Sequence, residues 1–348
     1  MKIERSDAQV ETAARFAKKA GELTDTGFKD ALGAIAKEGL VQLDGDKYNW
    51  SLIAPALQAV AGVNASLALG AAMNSLAACM VRSYGDDKSL ASDIESGKKT
   101  AAFVSTPRVG ELPRLADKDG KNIVDGTIER VCNAPVADVF IVMAAKGDDV
   151  CLVEVDSGAD GVSVGEKVDS IGLAALPVAP VSFNGAECKV SATGLGSKKE
   201  TDFLKARWSI CIAAVLCGNI NNALNELKNF VMTHTAGDRP VAKFQAPRFF
   251  VAEIFASLET SILMLDRAAY ALDSGDREAK VLCDGARVLI DDVVGEIGSK
   301  GSRILGATGT ASGYGFRELL NDAETARFAG EHPDAMLNSI FEFVSDQI

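Results

Sequence analysis

Histidine and cysteine offer the widest chemistry, and this chain has few of the first and a scatter of the second. His234 and His332 are the only histidines, and the seven cysteines stand at positions 79, 132, 151, 188, 211, 217 and 283. No CxxC occurs, so a zinc site is not expected. Cys79, Cys211, Cys217 and Cys283 lie in apolar helical stretches and read as small core residues. An odd, scattered set of thiols fits a reduced, cytoplasmic chain. One polar run remains, HTAGDRPVAKFQAPRFFVAEI from His234 to Ile254, set between two long apolar-periodic segments. Its Arg239, Lys243 and Gln245 are the kinds of side chain that meet a phosphate.

The surrounding charge limits what such a site serves. A formal net charge of −12 over 348 residues argues against nucleic acid or an anionic membrane as the main partner. The N-terminus, MKIERSDAQVETAARFAKKAG, lacks the apolar core of a secretory signal. The most apolar run, from Leu52 to Val81, is interrupted by Gln58, Asn64 and Asn74 and reads as a buried helix pair rather than a membrane span.

Three regions must position these residues. Residues 1–99 carry helical periodicity, as in ETAARFAKKAGEL and TGFKDALGAIAKEGLVQL. Residues 100–198 change to short β-rich segments (TAAFVST, DVFIVMAAK, DVCLVEV, APVSFNGAECKV) broken by KDGK, KGDD and FNG. Residues 199–348 return to helical periodicity. The order predicts an α+β protein: a helical domain, an antiparallel β-barrel or sandwich, and a helical bundle. A β-domain of this size must bury one face on the bundle, and a ligand cleft is expected at that seam.

Five motifs, in order, resemble the acyl-CoA dehydrogenase family over nearly the whole chain. They are SYGDDKSLASDIESGKKTAAFVST, DGKNIVDGTIERVCNAPVADVFIVMA, DSIGLAALPVAPVSFNGAECKV, AKFQAPRFFVAEI and ILGATGTASGYGFRELLNDAETARF. The resemblance implies a C-terminal four-helix bundle that mediates oligomers and FAD held between β-domain and bundle. It also implies an acyl-CoA substrate and an electron-transfer flavoprotein as electron acceptor. The implied reaction is α,β-desaturation: a desolvated carboxylate removes the α-proton while the β-hydride passes to flavin.

Carried over residue by residue, the family pattern is only partly kept. Thr106 matches the threonine that holds the flavin ring, but Pro107 and Arg108 stand where the family has Glu-Pro. Arg130, Val131 and Cys132 replace a Trp-Ile-Thr triplet, and Cys132 with the adjoining Asn133 is the expected flavin contact there. His234 falls where the pyrophosphate-binding arginine is expected, and Asp238 adds a negative charge nearby; Gln245 keeps its place. Arg303 replaces a glutamine ahead of the glycine turn, in which Gly306 and Gly309 are kept and Ala307 replaces a glycine. For the catalytic base the alignment gives Gly330, with Glu331 one residue on; His332 and Asp334 are further candidates. The alternative position of the base on the first bundle helix is Ala206. Arg207 matches the arginine that follows it and supports the active-site loop.

Such losses fit one subunit of a heteromeric α2β2-like enzyme, in which FAD is shared with or completed by a second, related chain. A divergent homomeric flavoenzyme and a scaffold that binds no flavin are the alternatives.

Overall fold

The computed structural model describes residues 4–86, 88–105, 109–310 and 315–346. Its N-terminal helices are α1 (Asp7–Glu22), α2 (Phe28–Lys37), α3 (Trp50–Ala61), α4 (Ala65–Tyr84) and α5 (Ser89–Glu95). A small hairpin, β1 (Leu43–Asp44) and β2 (Lys47–Tyr48), joins α2 to α3. Local sequence sets the helix starts: Ser6 and Gln9 form a reciprocal capping box on α1, and the Asn64 side chain accepts the Leu67 N–H on α4. The amides of Trp50 and Ser51 at the start of α3 donate to the Asp273 carboxylate, 2.6 and 2.9 Å away, so a remote helix supplies that cap.

The middle segment is one eight-stranded sheet: β3 (Ala101–Val104), β4 (Arg114–Lys118), β5 (Lys121–Cys132), β6 (Val139–Lys146), β7 (Asp149–Asp156), β8 (Val162–Val164), β9 (Val178–Glu187) and β10 (Lys189–Ala192). The strand path is β10-β7-β6-β4-β5-β9-β8, with β3 also paired to β6. The expected order of helical domain, β-domain and helical bundle holds, and within the β-domain the sheet is mixed rather than wholly antiparallel, with no closed barrel among the described residues. Both β3 and β4 run parallel to β6. The reason lies in β6 itself, where Val139 to Ala144 are all buried. A strand covered on both faces is a central one and accepts parallel neighbours. Its odd residues, Ile141 and Met143, join the helical core, while Phe140 and Val142 join a second core within the sheet. There Phe140 meets Phe183 of β9 edge-on, ring centroids 5.8 Å apart, so the sheet curls over its own apolar face.

The last segment holds α6 (Lys198–Thr233), a hairpin of β11 (Thr235–Ala236) and β12 (Arg239–Pro240), then α7 (Gln245–Ser274), α8 (Ala279–Leu305), α9 (Gly315–Ala326) and α10 (Pro333–Ser345). The long helices α6, α7 and α8 pack on one another, with α9 against α6 and α10 against α8. Both α4 and α6 are long and apolar enough to cross a bilayer, but the apolar window of α4 is wholly buried and that of α6 is 78% buried. They are core helices, and α3 and α4 share one apolar cluster with the bundle. Two ties fix the units together. Arg5 pairs with Asp266 at 2.9 Å, and the Leu173 amide donates to Asp322 Oδ1 at 2.5 Å. Beside the second tie, a Cβ on Gly172 would lie 2.0 Å from the Asn321 carbonyl oxygen, so this loop lies against α9 only as glycine.

Candidate active site

An apolar cavity lies where α4, the sheet and the bundle meet. It encloses about 830 Å³, part of it open to solvent. Met80 of α4, Met143 of β6 and Val150 of β7 form one side. The opposite wall is α6, through Thr201, Lys205, Trp208, Ser209 and Ile212, which recur at helical spacing on one face. Ala329, Gly330 and Glu331, in the turn between α9 and α10, close the end.

Glu331 is the carboxylate at that end, with only 15% of its side chain exposed. Lys205 Nζ donates to its Oε1 at 2.6 Å, and Lys280 Nζ stands 4.0 Å from Oε2. Lys280 also contacts Asp284, which is fully buried and accepts a hydrogen bond from Ser209 Oγ at 3.2 Å. Burial raises the Asp284 pKa, against the opposing pull of Lys280. One helical turn further along α8, fully buried Arg287 pairs with Asp291 and donates to the Arg327 carbonyl, anchoring the chain that leads into the Glu331 turn. Burial and neighbouring Arg327 push the Arg287 pKa down to about 9, so it stays charged at neutral pH. Gly330 has φ +89°, and a Cβ there would lie 2.8 Å from Trp208 Nε1. That contact sets the approach of the turn to α6.

Of the described residues expected from sequence as catalytic, the cavity contains Glu331 alone. His332 caps α10 by accepting the Asp334 N–H at 3.3 Å, and both side chains are exposed. Arg207, expected to brace the active-site turn, points elsewhere: its guanidinium donates to Phe203 O at 3.0 Å and sits 3.3 Å from the centre of the Phe203 ring. Consecutive residues on a helix point about 100° apart, so the face carrying Lys205 and Trp208 is not the face of Arg207. Lys205 and Arg287 hold the turn instead.

The expected flavin contacts are dispersed. Thr106 lies outside the described residues. Cys132 is partly buried at the end of β5, its thiol pushed up to about 11 by desolvation. Asn133 is fully buried in a left-handed conformation, and its amide donates to the Gly70 carbonyl at 2.9 Å, tying α4 to the sheet rather than reaching outward. Gln245 opens α7, exposed. Arg303 is exposed with its guanidinium 4.8 Å from the Phe250 ring centre, and Gly306 caps α8 in an exposed turn ending at buried Gly309. His234 stacks on Phe230, ring centres 4.0 Å apart, while Arg239 donates to Lys243 O at 2.9 Å. None of these described residues lines the apolar cavity.

Sequence reasoning passed over Lys205, Trp208, Ser209, Lys280, Asp284 and Arg287. A signal was present: Lys280, Asp284, Arg287 and Asp291 fall at i, i+4, i+7 and i+11, the spacing of a buried helix stripe.

Known proteins match this fold. The family profile described as "Acyl-CoA dehydrogenase, C-terminal domain" matches residues 193–344. Over its C-terminal helical part the chain is similar to the acyl-CoA dehydrogenase family. Members of that family are oxidoreductases acting on CH–CH bonds. Benzylmalonyl-CoA dehydrogenase of Aromatoleum aromaticum is 30% identical over 227 residues, which cover 61% of this chain and 58% of that protein. The aligned part thus spans little more than half of that relative. Butyryl-CoA dehydrogenase of Megasphaera elsdenii shares the fold at a TM-score of 0.90 and 18% identity, over 99% of this chain and 100% of the other. PigA with FAD and proline does so at a TM-score of 0.89 and 18% identity, over 99% of both chains.

Proposed function

We propose that this chain is a flavin-linked acyl-CoA dehydrogenase working as one subunit of a heteromeric enzyme in a reducing, cytoplasmic setting. The observation that carries the reading is the apolar cavity ending at Glu331. An α-proton beside a thioester is weakly acidic, so its removal needs a carboxylate in a dry, oriented setting. Glu331 offers one, and the long apolar wall of α6 lays an acyl chain against it. Trp208 and the sheet residues exclude water. For its oxygen to meet a C–H group, Glu331 must exchange its contact with Lys205.

Whether FAD fits is answered differently at its two ends. Arg303, the exposed Gly306 turn and Gln245 are cationic or amide-rich donors on the outside of the bundle, suited to a diphosphate that also touches another subunit. At the ring end, Asn133 already spends its amide on Gly70 and Ala101, and Cys132 is a weak donor. These residues make half a site. Bound FAD supplies the hydride acceptor; this chain supplies the carboxylate and the acyl wall. A second, related chain completing the ring end follows from that division, and an electron-transfer flavoprotein is the proposed electron acceptor.

The test is to strip all flavin, add FAD to the chain alone and then with its co-expressed partner, and follow fluorescence quenching. Weak uptake alone and tight uptake with the partner supports the heteromer. Stoichiometric, submicromolar uptake by the lone chain replaces it with the homomeric enzyme, and no uptake in either state with the scaffold.

A further inference from the structure

Among the described residues, Lys205 is the one lysine on the cavity wall. Glu331 lines the same cavity, and Lys205 Nζ donates to its Oε1 at 2.6 Å. The Lys205 side chain is 38% exposed, so the amine is held by its partner without being sealed off. Two other lysines share part of this setting and lack the rest. Lys280 stands 4.0 Å from Glu331 Oε2 but is committed to buried Asp284 and does not line the cavity. Lys121 makes a similarly short bond to a glutamate, 2.7 Å to Glu187 Oε2, and its side chain is 63% exposed. It lies on β5 and does not line the cavity either.

Glu331 is placed to meet the α-carbon of a bound thioester, and that carbon is bonded directly to the carbonyl carbon. An amine hydrogen-bonded to the same carboxylate is therefore a near neighbour of the most electrophilic atom of the ligand. We propose that Lys205 is a site of self-acylation, taking the acyl group of the thioester bound in this cavity. The inference rests on the acyl-CoA reading above. While the pair is closed, the Lys205 ammonium passes one proton to Glu331, and the neutral Nζ attacks the carbonyl carbon. A C–N bond forms and the C–S bond breaks. A second proton leaves the nitrogen with the departing CoA thiolate, and Glu331 returns the first to solvent. The products are an amide and free CoA thiol, and no oxidant or reductant is needed. Confinement of amine and thioester in one cavity supplies the rate. Acylation removes the positive charge that Glu331 holds and leaves the acyl group tethered in the cavity, so the product is a blocked site. One bound thioester thus has two fates: α-proton removal when Glu331 leaves Lys205, and acyl transfer while the pair stays closed.

The experiment is incubation of the purified chain, with its partner where the two co-purify, with butyryl-CoA, followed by peptide mass spectrometry. Calorimetry with S-butyl-CoA, which has the same chain and no carbonyl, measures binding separately. Lys205 is expected to gain the butyryl group at least about tenfold faster than Lys121 or Lys280, a small share of what proximity can supply. In the unaltered chain S-butyl-CoA should protect Lys205 and leave Lys121 unaffected. Glu331→Gln, which cannot take the proton, should slow Lys205 to the rate of Lys121, with circular dichroism confirming that the variant is folded. Labelling that follows exposure, with Lys121 ahead, overturns the proposal. So does labelling of Lys205 that neither S-butyl-CoA nor Glu331→Gln reduces. Binding of S-butyl-CoA with no butyrylation of Lys205 overturns it and leaves the acyl-CoA reading standing, whereas no binding at all removes both.

Discussion

Replacing Gly330 by alanine tests the geometry that brings Glu331 to the cavity. The backbone there has φ +89°, a conformation costing an L-residue about 1–2 kcal/mol. The new methyl would stand 2.8 Å from Trp208 Nε1 and 3.0 Å from Cδ1, too close for the ring to stay in place. Nor is the ring free to swing, since it packs edge-on against Phe103 with centroids 5.7 Å apart. Overpacking of this kind adds about 1–3 kcal/mol, for a total of roughly 2–5 kcal/mol if the turn holds its position. A turn that moves instead spares part of that cost and carries Glu331 away from Lys205. Urea unfolding followed by far-ultraviolet circular dichroism gives the stability, and tryptophan emission gives the displacement of Trp208. Gly295→Ala is the control: an exposed helical site with nothing within 4 Å of the added methyl, where alanine should stabilise by up to about 1 kcal/mol. A Gly330→Ala chain with the wild-type midpoint and unchanged emission would refute the close approach.

Three further outcomes follow from the buried charges. Arg287→Met should destabilise by about 3–5 kcal/mol, as should Asp291→Leu, whereas the double variant should recover most of the loss; additive losses in urea midpoints would mean that the two are not paired. Asp322 has its pKa raised by burial, partly offset by the Leu173 amide, so its carboxyl favours the fold below the ordinary Asp pKa and loses that contribution as pH rises through the raised value. Asp322→Asn keeps an acceptor for that amide and does not ionise, so its melting temperature relative to wild type should increase from pH 4 to pH 7; a constant difference would discount the burial. Arg207→Lys should lower stability by about 0.5–2 kcal/mol through the lost guanidinium–Phe203 contact while changing turnover less than twofold. A large fall in turnover would return Arg207 to the active-site turn.

Helical periodicity and the β-rich change in composition make the order of elements legible in the sequence, because both reflect which face of an element is buried. Sheet topology is harder to read. The continuous burial of Val139 to Ala144 is present in sequence as VFIVMA, but hydrophobicity alone cannot say which neighbour runs parallel to a central strand. The parallel pairing of β3 with β6 depends on a chain reversal through β4 and β5, a matter of long-range closure.

The site is less legible for a different reason. Alignment to a family asks whether an expected residue is present, and at Ala206, Gly330 and His234 it is not. The residues that shape this cavity lie outside the motifs compared, on helices that otherwise read as core. Asp284 and Arg287 are fully buried, and a charge at such a position is costly unless it is paired. Their spacing along α8, with Lys280 and Asp291, shows how each acquires its partner: the pairs close at i, i+4 within one helix, so no second element has to arrive in register. That leaves the outward-reaching donors free to hold other things. Arg287 takes the Arg327 carbonyl and Lys280 approaches Glu331, so the stripe that looks like misplaced charge in sequence is what fixes the turn bearing the candidate base.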